Sequence, residues 1–449
     1  MDTSVRGVLF MKIKTRVATI DQVNARVKPP HRTPRRPFLP LWAFIRAYSA
    51  VHLALLRFRF REVDMARLGK GPFLILMNHS SFIDLEIAHR VMKKRFNIVC
   101  TSDGFVGKNL LMRLLGCIPT KKFVTDLNLM GDMRHALKEL NTSVLLYPEA
   151  SYSFDGTATP LPRRMGLLLK RLGVPVVHIQ TYGAFTRDPL YNGLQIRKSP
   201  IEATVRGLLT AEEIREKSVE ELDAILDEAF SFDQFAWQRD NGVEITECFR
   251  ADGLNRILYR CAACGAEGKM EGKGEHLTCH ACGKKWYLLP SGQLKALEGE
   301  TIFPHIPDWY RWERETVRRE IEAGTYCLDI PVKIGMLVDT SALYFVGEGR
   351  LRHDNEGFTL EGCEGKLTYT QPPQANYGLY ADYFWYEIAD TICIGNQQAL
   401  YYCFPQTPGD VVAKTRQAAE ELYKIKTAAR LSRRRGRNLT EQTSEEPQK

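Results

Sequence analysis

The sequence predicts an α/β domain on a mostly parallel sheet, then a small zinc ribbon, then a β-rich domain with one terminal helix. Three observations predict it. Short apolar runs alternate with amphipathic stretches from Pro72 to Gln180, two Cys-x-x-Cys-Gly knuckles lie between 256 and 290, and residues 326 to 404 carry aromatic and β-branched alternation.

The chain opens on charge. Of its net +9, residues 1–61 hold thirteen Lys and Arg against Asp2 and Asp21, which leaves the remaining body slightly acidic. A basic arm over 1–36 before a near-neutral body suggests an anionic surface, either nucleic acid or acidic lipid head groups. Residues 39–58, within a segment bounded at 37–61, are apolar and about long enough to cross a bilayer, yet Arg46 and His52 interrupt them. With Trp42 and Tyr48 as interfacial aromatics and Arg57, Arg59 and Arg61 flanking, a helix lying in the head-group layer fits better; a buried core helix is the bland alternative. No signal-peptide pattern opens the chain, so it is expected in the cytoplasm, bound peripherally to the inner face of the cell membrane.

The α/β unit is bounded at 62–245. Phe73–Met77, Asn97–Cys100, Val144–Tyr147 and Val174–Ile179 are short and apolar enough to be buried strands, while Ile83–Lys94 and Leu129–Leu140 have helical periodicity. Thr210 to Gln238 is expected to be helical, opened by a Thr210–Glu213 capping box.

Cys261, Cys264, Cys279 and Cys282 form two knuckles with fourteen residues between them, the spacing of a four-cysteine zinc ribbon over 256–290. Four thiolates leave no open position, so the Zn²⁺ is structural and supplies folding energy to a unit too small for a core. His276 and His280 are bystanders. Lys269, Lys273, Lys284 and Lys285 raise a rival class, a nucleic-acid-binding protein; the mixed charge of the body and the aromatic apolar helix argue against it, and no nucleic acid is expected.

Residues 325–431 read as many short strands capped by one helix near Asp410–Leu431, which resembles the pleckstrin-homology-like architecture. Residues 432–449 read as a disordered tail.

The chemistry concentrates after the first strand, in Asn78-His79-Ser80-Ser81-Phe82-Ile83-Asp84. Ser80 or Ser81 is expected to cap a helix starting near Phe82, which puts Asp84 in its first turn. A His at a strand tip then meets a carboxylate that orients the imidazole and stabilises its cation. With no Gly-x-Ser-x-Gly elbow and no Ser or Cys in a nucleophile's setting, the pair suggests direct general-base activation of a hydroxyl.

These residues resemble the glycerolipid acyltransferases with a His-x4-Asp motif, typified by lysophosphatidic-acid acyltransferase. Gly116-Cys-Ile-Pro-Thr-Lys121-Lys122 resembles the family's second motif, Tyr147-Pro-Glu149-Ala-Ser151-Tyr152-Ser its third, and Val174-Pro-Val-Val its fourth. The resemblance implies O-acyl transfer from acyl-CoA or acyl carrier protein to a hydroxyl of a lysoglycerolipid, 1-acylglycerol-3-phosphate giving phosphatidic acid. It assigns His79 and Asp84 to catalysis, and Glu149, Ser151, Lys121 and Lys122 to the lysolipid acceptor. The partners implied are the acyl thioester, the lysolipid and a membrane surface with anionic lipids.

Two departures bear on the acceptor. The family's arginines in the second and third motifs are Lys122 and Tyr152 here, so one loses the bidentate fork and the other loses its charge. Arg163 or Arg164 could compensate, or the acceptor could be another lysolipid or a glycolipid. A scaffold that binds lipid or nucleic acid without catalysis is the remaining alternative.

Overall fold

The computed structural model describes residues 12–27, 29–124, 126–193 and 195–444. Its strands form three sheets. A short first strand, β1 (Thr15–Val17), belongs to the last of them; β2 (Arg59–Val63), β3 (Leu74–Met77), β4 (Phe96–Thr101), β5 (Cys117–Thr120), β6 (Ser143–Leu146), β7 (Val176–Tyr182) and β8 (Glu202–Leu209) form a seven-stranded sheet in the order β2-β8-β7-β3-β6-β4-β5. Every pairing in it is parallel except β7 with β8. The central strand β3 is buried at every residue, because helices cover both faces of a parallel sheet.

The segment expected over 37–61 forms a helix that is shorter than those bounds. It spans Leu39–Leu55, and Arg59 to Val63 instead form the sheet's edge strand, paired with β8. Arg57 makes the turn between them with a left-handed backbone, φ 56°. Arg46 and His52 do not face outward. Arg46 bonds the Met92 carbonyl, and His52 Nδ1 lies 2.6 Å from Glu86, so both tie the helix to the following layer. Phe44, Tyr48, Val51 and Leu55 are exposed, at 45% to 77% of their surface, and their spacing places them on one stripe. Among the described residues, no helix is long and apolar enough to cross a membrane.

The expected helix from Thr210 to Gln238 is three: Ala211–Glu216, Val219–Ala229 and Gln234–Asp240. The Thr210–Glu213 capping box forms as expected. Ser218 with Glu221 builds a second box, and the Asp233 carboxylate accepts from the Ala236 N–H, so polar side chains restart the helix each time.

The ribbon strands β9 (Met270–Lys273), β10 (His276–Cys279), β11 (Lys285–Leu288) and β12 (Leu294–Ala296) form an antiparallel sheet. Its Trp286 is buried edge-on against Trp309, 5.0 Å away, on the helix Ile306–Glu322. The ribbon is therefore part of the core that joins the other two units, and one hydrophobic cluster runs from Phe154 and Phe185 through Trp286 and Trp309 to the C-terminal strands.

The last sheet contains β13 (Leu328–Leu337), β14 (Leu343–Asp354), β15 (Gly357–Gly362), β16 (Leu367–Gln371), β17 (Tyr380–Trp385), β18 (Ala389–Gly395) and β19 (Leu400–Pro405), in the order β16-β15-β14-β13-β19-β18-β17. Strand β1 of the basic arm adds parallel to β14, and Ile20 and Val23 beyond it are buried, so this part of the arm is docked. Residues 1–11 lie outside the described residues. The C-terminal helix spans Val412–Ser444, so most of the segment expected as a disordered tail over 432–449 is helical; residues 445–449 lie outside the description. Arg, Leu, Asn and Glu continue a helix well enough when no proline intervenes before Pro447.

Candidate active site

Strand β3 ends at Asn78, whose amide oxygen accepts from the Thr181 N–H at 2.8 Å, tying the strand tip to β7. Its amide nitrogen donates to Ser80 Oγ at 2.9 Å. This fixes the backbone on both sides of His79.

The helix after the tip begins at Asp84, two residues later than expected, and neither serine hydroxyl caps it. Asp84 itself turns back over the loop. One carboxylate oxygen, Oδ2, accepts from the Ser80 N–H at 2.7 Å, from the Ser81 N–H at 3.0 Å, and lies 3.1 Å from His79 Nδ1. A carboxylate near a helix N-terminus is favoured by the dipole and takes the orphan donors directly. The Ser81 hydroxyl instead donates to Asp188.

His79 is stacked between two tyrosines, Tyr147 at 4.1 Å and Tyr152 at 4.0 Å between ring centroids. Burial, and then the Lys122 ammonium, holds its imidazole pKa well below the ordinary value. Burial pushes the Asp84 carboxyl up to about 7, against the pull of the Ser81 and Ser80 amides. A neutral imidazole whose Nδ1 is bound to a carboxylate leaves Nε2 to accept a proton.

Glu149 reaches the same place from β6. Its Oε2 accepts from the His79 backbone N–H at 3.0 Å, and its Oε1 from the Thr159 N–H and hydroxyl at 2.8 and 3.0 Å. Both oxygens are thus engaged in holding the loop on which His79 sits. Ser151, between Glu149 and Tyr152, has a buried hydroxyl with no partner among the described residues.

The two lysines divide. Lys121 bonds the Gln397 carbonyl of the C-terminal sheet, whereas the Lys122 Nζ lies 4.1 Å from the Tyr380 ring centroid and within electrostatic reach of His79. Arg163 and Arg164 stay exposed; the guanidinium of Arg163 sits 5.6 Å from the Tyr423 ring centre, on the C-terminal helix.

Several residues around the site were not singled out in the sequence. Asp103 Oδ2 accepts from the Tyr380 and Tyr402 hydroxyls at 2.8 and 3.1 Å and from the Trp385 Nε1–H at 3.3 Å, clamping the C-terminal sheet to the α/β layer. Arg416 of the C-terminal helix donates to the Tyr152 carbonyl at 3.0 Å and covers Phe154 at 4.4 Å. The aromatic run Tyr383–Tyr386 was legible only as a strand; nothing in its pattern announced a partner so far upstream.

The knuckle sulfurs also converge. The ligand atoms of Cys261, Cys264, Cys279 and Cys282 lie within 4.8 Å of one another, with Cys261–Cys282 and Cys264–Cys279 both at 3.8 Å. Four sulfurs about 2.3 Å from a tetrahedral centre stand about 3.8 Å apart, so the set fits a metal ion. Gly265 and Gly283 follow the knuckles with φ 75° and 76°, the left-handed turn that each requires.

The fold thus presents a buried, carboxylate-bound histidine at the tip of a strand in the parallel part of the sheet. Residues 57–180, which contain that pair, match the family model described as Acyltransferase. No curated protein matches. Among solved structures, the chain is similar to the 1-acyl-sn-glycerophosphate (LPA) acyltransferase PlsC from Thermotoga maritima at 17% identity and a TM-score of 0.29, over 41% of this chain and 79% of that one.

Proposed function

We propose that the chain is an O-acyltransferase that moves a fatty acyl group from acyl-CoA or acyl carrier protein to a hydroxyl of a lysoglycerolipid. The observation that carries this reading is the His79–Asp84 pair, at 3.1 Å, inside the stretch that matches the Acyltransferase model. His79 Nε2 takes the proton of the acceptor hydroxyl as its oxygen attacks the thioester carbonyl. Asp84 stabilises the imidazolium. The C–S bond then breaks, the imidazolium returns its proton to the leaving thiolate, and an ester and a free thiol result. Glu149 acts as a positioning residue through the His79 N–H.

The motif order supports 1-acylglycerol-3-phosphate as acceptor, giving phosphatidic acid, with Lys122 near the acceptor phosphate. A second reading, another lysolipid or a glycolipid, is favoured by the carboxylates of Asp382 and Asp103, which already act on Lys122. The exposed stripe of Phe44, Tyr48, Val51 and Leu55 supports attachment to a membrane with anionic lipids, on the cytoplasmic face, where the basic arm adds attraction. Zn²⁺ is the metal that the four-cysteine set favours, in a structural role. Seven antiparallel strands closed by a helix support the pleckstrin-homology-like reading of the last unit.

The test is labelled acyl-CoA or acyl carrier protein with vesicles and a panel of lysolipids, run beside His79→Ala. The reading expects transfer that the variant loses. No transfer to any acceptor, or equal transfer by the variant, overturns it.

A further inference from the structure

Beside Tyr380 of β17 two opposite charges stand near each other without pairing: Lys122 lies over the Tyr380 ring, and Asp382 is two residues along the same strand. The Lys122 Nζ packs on the Tyr380 ring and has no hydrogen-bonded oxygen among the described residues. Asp382, on β17, is 9% exposed; its Oδ1 accepts from the Tyr383 N–H at 2.9 Å, and its other oxygen has no hydrogen-bond donor among the described residues. Each acts on the other electrostatically, yet they do not pair. Desolvated charges held apart are costly until a ligand bridges them.

The surroundings say which ligand. Four acidic side chains, Asp84, Asp103, Asp188 and Asp382, act on Tyr152, which stacks on His79. The other cations nearby are engaged: Arg416 is bonded to Glu420 and to the Tyr152 carbonyl, and Arg187 lies 3.4 Å from Asp188. A doubly charged phosphate monoester would meet one open ammonium that Asp382 and Asp103 already face. A phosphodiester brings only the charge that Lys122 can match, and an ammonium carried a few bonds away is matched by Asp382 among tyrosine faces.

We propose that this site accepts zwitterionic lysophospholipids, with the phosphodiester on Lys122 and the head-group ammonium on Asp382. The proposal rests on the acyltransferase reading and selects the second of its two acceptors. Asp382 is then the specificity residue, and it comes from the C-terminal sheet, far outside the matched stretch 57–180.

The experiment uses the full chain with labelled acyl-CoA or acyl carrier protein and three acceptors of one chain length: lysophosphatidylethanolamine, lysophosphatidylglycerol and lysophosphatidic acid. The expected result is a kcat/KM for the ethanolamine lipid about tenfold or more above the other two. Asp382→Asn, checked for a cooperative unfolding transition, should bring the ethanolamine-to-glycerol ratio close to one. Equal or better use of either anionic acceptor by the wild type overturns the proposal and leaves the acyltransferase reading standing, as does a folded Asp382→Asn with an unchanged ratio. Should that variant not fold, the wild-type ranking decides alone. No transfer to any of the three or to other lysolipids overturns the acyltransferase reading, and this proposal with it.

Discussion

The carboxylate of Glu149 binds the backbone N–H of His79 at 3.0 Å, so the third motif holds the first one in place. The contact joins the ends of β6 and β3, which are hydrogen-bonded neighbours in the sheet. Glu149→Ala would leave the His79 and Thr159 donors unsatisfied in a buried place. A loss of about 1–3 kcal/mol in denaturant unfolding is expected, with a fall in kcat. Glu149→Gln keeps one acceptor oxygen and should cost less on both measures.

Asp84→Asn preserves shape but removes the charge that stabilises imidazolium. A fall in kcat of about 10³–10⁴ is expected from steady-state assays, with KM little changed. Because burial pushes the Asp84 carboxyl up to about 7 and holds His79 well below its ordinary value, kcat/KM should fall as pH drops through about 7, with the loss of the Asp84 charge, before the imidazole takes up a proton.

Stability should fall as pH rises through neutrality. Burial raises Asp84, Asp188 and Asp382 from 3.8, and Glu149 from 4.5, to about 7. Carboxyls with a raised folded pKa keep protons that the unfolded chain releases, so their contribution is full below about pH 4 and is lost by about pH 7. Thermal unfolding from pH 5 to 8 should show the decline, and Asp382→Asn should flatten it.

Removing one sulfur, as in Cys279→Ser, should abolish metal binding, seen as loss of about one zinc per chain by elemental analysis. It should also lower the unfolding midpoint of the whole chain, since Trp286 of the ribbon is packed on Trp309 in the shared core. A drop confined to the ribbon would contradict this.

Replacing Phe44, Val51 and Leu55 with Ser should leave the unfolding midpoint nearly unchanged, because these side chains are exposed. Vesicle sedimentation should show binding weakened by about tenfold or more per apolar residue lost. Unchanged binding would remove the stripe from the membrane contact.

The legible parts of the site are the local ones. His79 and Asp84 meet because a strand tip and the first turn of the next helix bring residues five apart together, whatever the rest of the chain does. Even there the serines were assigned as caps, whereas the Asp84 side chain took their amides. The apolar runs of β3, β4, β6 and β7 announced a buried sheet, and the knuckle spacing announced a thiolate set. In the sequence Arg46 and His52 only argue against a spanning segment; the fold gives them partners, the Met92 carbonyl and Glu86.

By itself the sequence determined the strand-tip histidine with its carboxylate, the parallel layer and the four-cysteine set, since each depends on spacing along a few turns or strands. Only the tertiary structure decided that Tyr380 meets Lys122 and Asp103, and that Arg416 meets the carbonyl of Tyr152, the ring stacked on His79. Such contacts span more than 200 residues and depend on how the C-terminal sheet docks on Asp103, which no periodicity encodes. Local geometry is written in the order of residues; the charge balance around His79 follows from packing between units.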